Sequence, residues 1–171
     1  MPSVVQRRFD FGPLPVAPLW SINGVMGILK KDADEVLALI LEGKIPWAWD
    51  ISTKPETRAE WRIWPESVRA YQRSNPSLPS LPSVKAITEN SHAEVLCSII
   101  GHSRPVLRGS EIRSIWTCDQ QVITRHLRLA NLQLDPSASS AAHVSPRIAR
   151  ASFEIFMQSR CTQQNQQRRN T

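Results

Sequence analysis

A polar face of unusual composition lies between Cys118 and Leu134, in the stretch CDQQVITRHLRLANLQL. The apolar residues of this stretch recur at helical spacing. The opposite side carries two glutamines, a threonine and two arginines: Gln120, Gln121, Thr124, Arg125 and Arg128. Gln can pair bidentately with adenine, Arg can pair with guanine, and Thr can contact a thymine methyl group or a phosphate. A solvated helix face is the alternative interpretation, but the surrounding sequence favours a surface that reads DNA.

Positive charge is concentrated in the second half of the 171-residue chain, whose net charge is +6. Residues 84–171 hold eleven Lys and Arg against six Asp and Glu, whereas residues 1–83 hold ten against nine. Ten of the eleven cations in the second half are Arg, the side chain best suited to bidentate contacts with phosphate and guanine. We therefore expect an anionic partner mainly for the second half.

Catalytic and metal-binding chemistry has little support in the sequence. The three cysteines are widely spaced without a CxxC pair, and the four histidines show no metal-ligand spacing. There is no Gly-rich phosphate loop, Ser-centred elbow or HExxH motif. We therefore expect no enzyme activity, no cofactor and no metal site. Because no signal segment or membrane-length apolar run is present, we expect a cytoplasmic, nucleoid-associated protein without membrane contact.

The elements that would position a DNA-reading helix are predicted first in residues 20–73. Ser21 caps a short helix, a turn follows at 30–32, and a second helix ends near Gly43, where a left-handed residue is favoured. The hydrophobic period then changes to two in WAWDI and EWRIW, which predicts a β-hairpin. Pro65 opens a further helix. The order helix, turn, helix, hairpin, helix is that of a winged helix-turn-helix unit.

After an additional helix near 91–101, the same order returns in residues of about 107–160, which predicts a structural repeat. Val36 and Ile40 of the first copy align with Ile123 and Leu127 of the second at one constant offset. Beyond the hairpin the offset becomes two residues shorter. This difference falls in the hairpin loop, where insertions and deletions cost least.

We predict five segments along the chain. They are an N-terminal arm (1–19), a first winged helix-turn-helix module (20–73), a Pro/Ser-rich linker (74–90), a second winged helix-turn-helix module (91–160) and a disordered polar and basic tail (161–171). The predicted fold class is α+β, mainly α with small β-hairpin wings, in tandem modules. The apolar side of a helix near 91–101 leaves a homodimer open.

Two stretches, WSINGVMGILKKDADEVLALILEGKIPWAW and EWRIWPESVRAYQ, resemble the winged-helix fold of MerR-type regulators and phage-type excisionases. The resemblance rests on EGKIP (42–46) before the hairpin and on Arg62, Ile63, Val68 and Tyr71 after it. It covers roughly residues 20–73, and the second copy resembles the family less closely. It implies binding of double-stranded DNA, with the second helix of each unit in the major groove and the wing on the backbone or minor groove.

We therefore predict a regulator, or an accessory factor for recombination or a mobile element, that reads DNA mainly through the helix at 119–129. Further cations expected to contact phosphate lie around this helix and on the two wings. They are Arg108, Arg113, Arg147, Arg150, Lys54, Arg58 and Arg62.

The matching helix of the first module departs from this pattern. Its N-terminal end carries acidic side chains, which suit the helix dipole but would be repelled by phosphate. In the alternative function the chain is an adaptor in a nucleoprotein machine, and its first module docks a recombinase, transposition or transcription protein. The residues proposed for that contact are Asp34, Glu35, Trp47 and Trp49.

Overall fold

The computed structural model describes residues 17–54, 59–74, 90–137 and 146–162. Within these ranges the chain forms an α+β structure with seven helices and two small antiparallel sheets. None of the helices in this part of the chain is long and apolar enough to span a membrane. Most of the predicted linker (75–89), arm (1–16) and tail (163–171) lies outside the described residues.

In its described residues, the first half contains three strands and three helices. Their bounds are β1 (Trp20–Ser21), α1 (Ile22–Leu29), α2 (Ala33–Leu41), β2 (Ala48–Asp50), β3 (Trp61–Ile63) and α3 (Pro65–Ser74). Strand β3 lies between β1 and β2 and is antiparallel to both. The predicted hairpin is therefore present, and its β3 strand also pairs with the residues that begin α1.

The second half contains four helices and two strands in the described residues. Their bounds are α4 (His92–Ile100), β4 (Val106–Arg108), α5 (Gly109–Trp116), α6 (Gln120–Arg128), β5 (Arg147–Ala149) and α7 (Arg150–Arg160). Strands β4 and β5 are antiparallel, and Leu134 forms a single bridge to Ile148 on the other side of β5. Residues 138–145, where the tip of the second wing is predicted, lie outside the described residues.

Local hydrogen bonds set the bounds of the two helix pairs in the same way. The Asp32 carboxylate accepts from the backbone N–H of Glu35 at the start of α2 (2.8 Å), and Asp119 caps α6 in the same position. The residue after α1, Lys30, has φ 56°, and the residue after α5, Thr117, has φ 49°. These left-handed residues stop the first helix of each pair and turn the chain into the second.

Longer-range pairings match as well. Trp20 pairs with Ile63 in the first half, and Leu107 pairs with Ile148 in the second. After α2 the N–H of Ile45 donates to the carbonyl of Leu39 (3.1 Å). After α6 the N–H of Leu132 donates to the carbonyl of His126 (3.3 Å). The two halves therefore have the same backbone geometry at these positions.

Two groups of buried side chains form the core. One belongs to the first half and includes Val25, Val36, Ile40 and Ile63. The other is shared, because residues of the first half pack among those of the second. The first-half members are Leu19, Trp47, Trp49, Ile51 and Ala70. The halves are thus joined by a common core as well as by the chain that connects them.

Two predicted segment boundaries are wrong by a few residues because of this shared core. Leu19, assigned to the arm, is fully buried. Cys161 and Thr162, assigned to the tail, are also buried. Cys161 forms a bridge with Trp49, and the Thr162 hydroxyl donates to the carbonyl of Ala48 (3.1 Å). Polar composition marked the tail in the sequence, but burial of its first residues depends on contact with β2.

Candidate nucleic-acid interface

The five polar residues singled out on α6 lie together on its outer face. They line one shallow surface depression, which is formed by Gln120, Gln121, Thr124, Arg125 and Arg128. All are exposed except Thr124, which is partly buried. The Thr124 hydroxyl donates to the carbonyl of Gln120 one turn earlier (3.0 Å). The face therefore presents two amides and two guanidinium groups to a partner.

The inner face of α6 holds this orientation. Ile123 and His126 are fully buried, and Val122 and Leu127 pack against the shared core. At the N-terminus, Asp119 accepts from the backbone N–H groups of Gln121 (2.8 Å) and Val122 (3.1 Å). The carboxylate nearest the polar face is therefore occupied in capping the helix.

Three of the predicted phosphate-contacting cations are exposed near α6. Arg108 ends β4, Arg113 lies within α5, and Arg147 begins β5. Arg113 lines a second depression with Ser110, Ser114 and Thr117. The Arg147 side chain is 52% exposed and lies 4.0 Å from the carboxylate of Asp135. These three guanidinium groups are therefore exposed to solvent on the second half.

Arg62 and Arg150 do not fit the phosphate-contact prediction, because their guanidinium groups are used inside the protein. Arg62 donates through Nε to the carbonyl of Trp116 and through Nη1 to that of Trp61 (3.0 Å). Burial lowers its pKa below the ordinary value. Arg150 is 12% exposed, donates to Glu154 Oε1 (2.6 Å) and also bonds the carbonyl of His102. Both side chains are predicted to lie on exposed wing surfaces. In the fold, other segments of the chain cover them.

The remaining wing cations belong to the first hairpin. Lys54 is exposed at the start of the hairpin loop. Arg58 lies outside the described residues.

The residues predicted to bind a partner protein divide into two groups. Asp34 and Glu35 are exposed at the start of α2. Glu35 accepts from Lys31 Nζ and from the backbone N–H of Asp32, both at 3.0 Å, and these hydrogen bonds lower its pKa. Glu35 therefore already takes part in helix capping.

Trp47 and Trp49 do not fit the partner-binding prediction, since both are buried in the shared core. Their rings are stacked, with centroids 6.3 Å apart. The Trp49 indole N–H donates to Nε2 of His92 on α4 (3.3 Å). The second half of the same chain covers them and leaves no room for an external protein.

Position-by-position comparison extends the contrast between α2 and α6 beyond the acidic N-terminal end of α2. The α2 positions equivalent to the five polar residues of α6 are, in order, Ala33, Asp34, Leu37, Ala38 and Leu41. The outer face of α2 is therefore small and apolar except at Asp34, whereas that of α6 is polar and basic.

Within the described residues, neither an activated thiol nor a metal site lies near α6. Burial raises the pKa of the Cys118 thiol to about 11, so it is protonated at neutral pH. In the described ranges no group of three or more His, Cys, Asp or Glu side chains is arranged to hold a metal ion.

Comparison with known proteins indicates neither a family nor a function for this chain. Neither the family models, nor the curated proteins, nor the solved structures contain a match to this chain.

Proposed function

We propose that this protein binds double-stranded DNA through α6, which enters the major groove as the second helix of a winged helix-turn-helix module. The observation that carries the proposal is the outer face of α6. Its two Gln and two Arg side chains can make bidentate contacts with adenine and guanine edges. The five-residue face contains no carboxylate, so phosphates approach it without repulsion.

The surroundings of α6 suit this role. Arg108, Arg113 and Arg147 add three exposed cations on neighbouring elements, where contacts with the DNA backbone would fix the orientation of the helix. The turn at Thr117 joins α5 and α6 as a helix-turn-helix pair, and β5 belongs to the wing. The first half is a second module of the same architecture, and the two form a tandem. In this proposal the protein is a nucleoid-associated regulator or an accessory factor for recombination.

The contrast between α2 and α6 indicates that the two modules do different work. Ala33, Leu37, Ala38 and Leu41 offer no hydrogen-bond donor from their side chains, and Asp34 would repel phosphate. We therefore assign DNA reading to α6 and not to α2.

A second candidate function follows from the same α2 face, on which the Leu41 side chain is 56% exposed. A small, apolar helix face is suited to packing against a helix of another protein. In this alternative the chain is an adaptor, and α2 docks a recombinase, transposition or transcription protein. Capture of such a partner that survives nuclease treatment and the loss of Arg125 and Arg128 would favour it.

The test of DNA binding is fluorescence anisotropy of the full chain against a randomised duplex pool at two salt concentrations. The Arg125→Ala/Arg128→Ala variant is expected to weaken binding at least tenfold, because each good bidentate pair contributes about 1–3 kcal/mol. The matched control, Lys44→Ala/Arg73→Ala, removes the same charge from the first half. We expect it to change affinity by less than about threefold, since these residues lie outside the interface. Equal losses in both variants, or no binding at low salt, would overturn the assignment.

A further inference from the structure

Two histidines of the second half contact the same short segment of the first half, at the junction between the halves. This segment is β2 with the residues on either side of it. His92, at the start of α4, accepts a hydrogen bond at Nε2 from the Trp49 indole N–H (3.3 Å). The His92 ring also lies against Trp47, with centroids 5.9 Å apart. The junction thus includes a partly buried imidazole that acts as an acceptor.

His126, on the inner face of α6, contacts the same segment just beyond β2. The side chain is fully buried, and Nε2 lies 2.8 Å from the carbonyl oxygen of Ile51. Its ring packs edge-on against Trp116 (5.2 Å between centroids) and Phe156 (4.9 Å). The position corresponds to Leu39 of the first half, which is an ordinary core residue. A titratable group therefore replaces an apolar one where α6 meets the first half.

The hydrogen bonds to both imidazoles fit their neutral forms. An indole N–H can only donate, so Nε2 of His92 carries no proton. A carbonyl oxygen can only accept, so Nε2 of His126 carries the proton and donates to Ile51. The other ring nitrogen, Nδ1, then accepts from the Asn131 amide (3.2 Å). A second proton on either ring would remove one of these bonds and place a charge in the core.

The charged groups around the two histidines do not compensate for burial. For His126, burial lowers the pKa, and Arg160 on α7 and Arg125 on α6 lower it further. The hydrogen bond to Ile51 and the carboxylate of Asp50 on β2 act in the opposite direction. For His92, burial lowers the pKa, and Glu154 on α7 opposes the shift.

We propose that His92 and His126 form a pH-sensitive contact between the halves, which is stable while both rings are neutral and opens when they take up protons. Separation of the halves hydrates both rings and lets each bind a proton at the ordinary pKa of His, about 6.5. The open state therefore binds more protons than the closed state below this pH. The closed state is fully stable above about pH 6.5 and loses stability as the pH falls through that value.

The consequence for α6 is direct, because His126 belongs to the same helix as Arg125. When the contact opens, the polar face of α6 loses its fixed orientation relative to the first half. Opening of the junction does not require DNA. It can therefore be measured whether or not α6 binds DNA.

The experiment is thermal unfolding of the full chain, without DNA, between pH 7.5 and 5.5. Near-ultraviolet circular dichroism of the tryptophans reports on the junction. If both histidines are protonated on opening, the opening equilibrium constant rises by up to about 100-fold per pH unit below 6.5. The His92→Gln/His126→Leu variant keeps an acceptor for Trp49 and restores the apolar residue of the equivalent position. Its transition temperature is expected to be nearly independent of pH in this range.

The control is His102→Gln, which replaces a histidine that pairs with Glu111 outside the junction. It is expected to leave the pH dependence of the wild type in place. A wild-type transition temperature that does not change between pH 7.5 and 5.5 would overturn the proposal. So would an unchanged pH dependence in the double variant.

Histidine titration by NMR covers the case in which the double variant fails to fold. In the wild-type protein, we expect the rings of His92 and His126 to titrate below the ordinary pKa of His. The single variants His92→Gln and His126→Leu would assign them. Ordinary titration of both rings while the junction remains closed would overturn the proposal.

Discussion

Arg62 and Arg147 occupy equivalent positions in the two halves, but their surroundings give them opposite roles. Arg62 pairs in register with Trp49 of β2 and donates through Nε to the carbonyl of Trp116, in the other half. Arg147 begins β5 and is 52% exposed. The same residue type therefore joins the two halves at one position and is largely exposed at the equivalent position.

Substitution of each arginine should separate these roles. Arg62→Ala leaves the carbonyl of Trp116 without this donor and is expected to lower the free energy of unfolding by about 1–3 kcal/mol. Arg147→Ala is expected to change it by less than about 0.5 kcal/mol. If Arg147 contacts a phosphate, its loss reduces the slope of log affinity against log salt by about 0.9.

Urea denaturation and salt-dependent anisotropy of the two variants make these measurements. The opposite pattern, with stability lost in Arg147→Ala and salt dependence lost in Arg62→Ala, would contradict both assignments.

At the scale of the element, α6 depends on Asp119 for its N-terminus. The carboxylate accepts two backbone N–H groups that have no partner within the helix. It is also the acidic group closest in sequence to the polar face. The Asp119 carboxylate therefore stabilises the helix, but its negative charge would repel DNA phosphates.

Two substitutions of Asp119 separate the effect of the cap from the effect of the charge. Asp119→Ala removes the cap and is expected to cost about 1 kcal/mol of unfolding free energy. Asp119→Asn keeps a capping oxygen, so stability should be nearly unchanged, while DNA affinity should rise because a negative charge is lost. Thermal unfolding and anisotropy measure the two effects. Weaker DNA binding by the folded Asn variant would argue against α6 as the reading helix.

At the scale of the whole molecule, the shared core predicts that the two halves unfold as one cooperative unit at neutral pH, where the junction between them is closed. Trp49 of the first half is fully buried among residues of the second and bonds His92. Arg62 and Thr162 add backbone contacts across the same junction. Either half, if separated from the other, would expose its part of this core to water and lose much of its buried apolar surface.

Trp49→Ala is therefore expected to destabilise the entire described structure by about 3–5 kcal/mol. Helical content and tryptophan signals should fall in a single urea transition. Leu41→Ala is the control, because this side chain is 56% exposed and its truncation should cost less than about 1 kcal/mol. Two separate transitions in the wild-type protein would show that the halves unfold independently.

Local features of the fold could be read from the amino-acid order. The caps at Ser21 and Asp32, the turns after α1 and α5, and the face shared by Gln121, Arg125 and Arg128 all depend on residues a few positions apart. Hydrogen bonding and helical periodicity act over this range, so the pattern of side chains contains the information.

The burial of four side chains could not be predicted from local sequence. They are Trp47, Trp49, Arg62 and Arg150. Each looked like a wing or surface residue, and each is covered by segments distant in the chain. The junction between the halves forms from contacts such as His126 with Ile51 and Thr162 with Ala48. No local pattern records such a contact, because its free energy arises only when both surfaces leave water together.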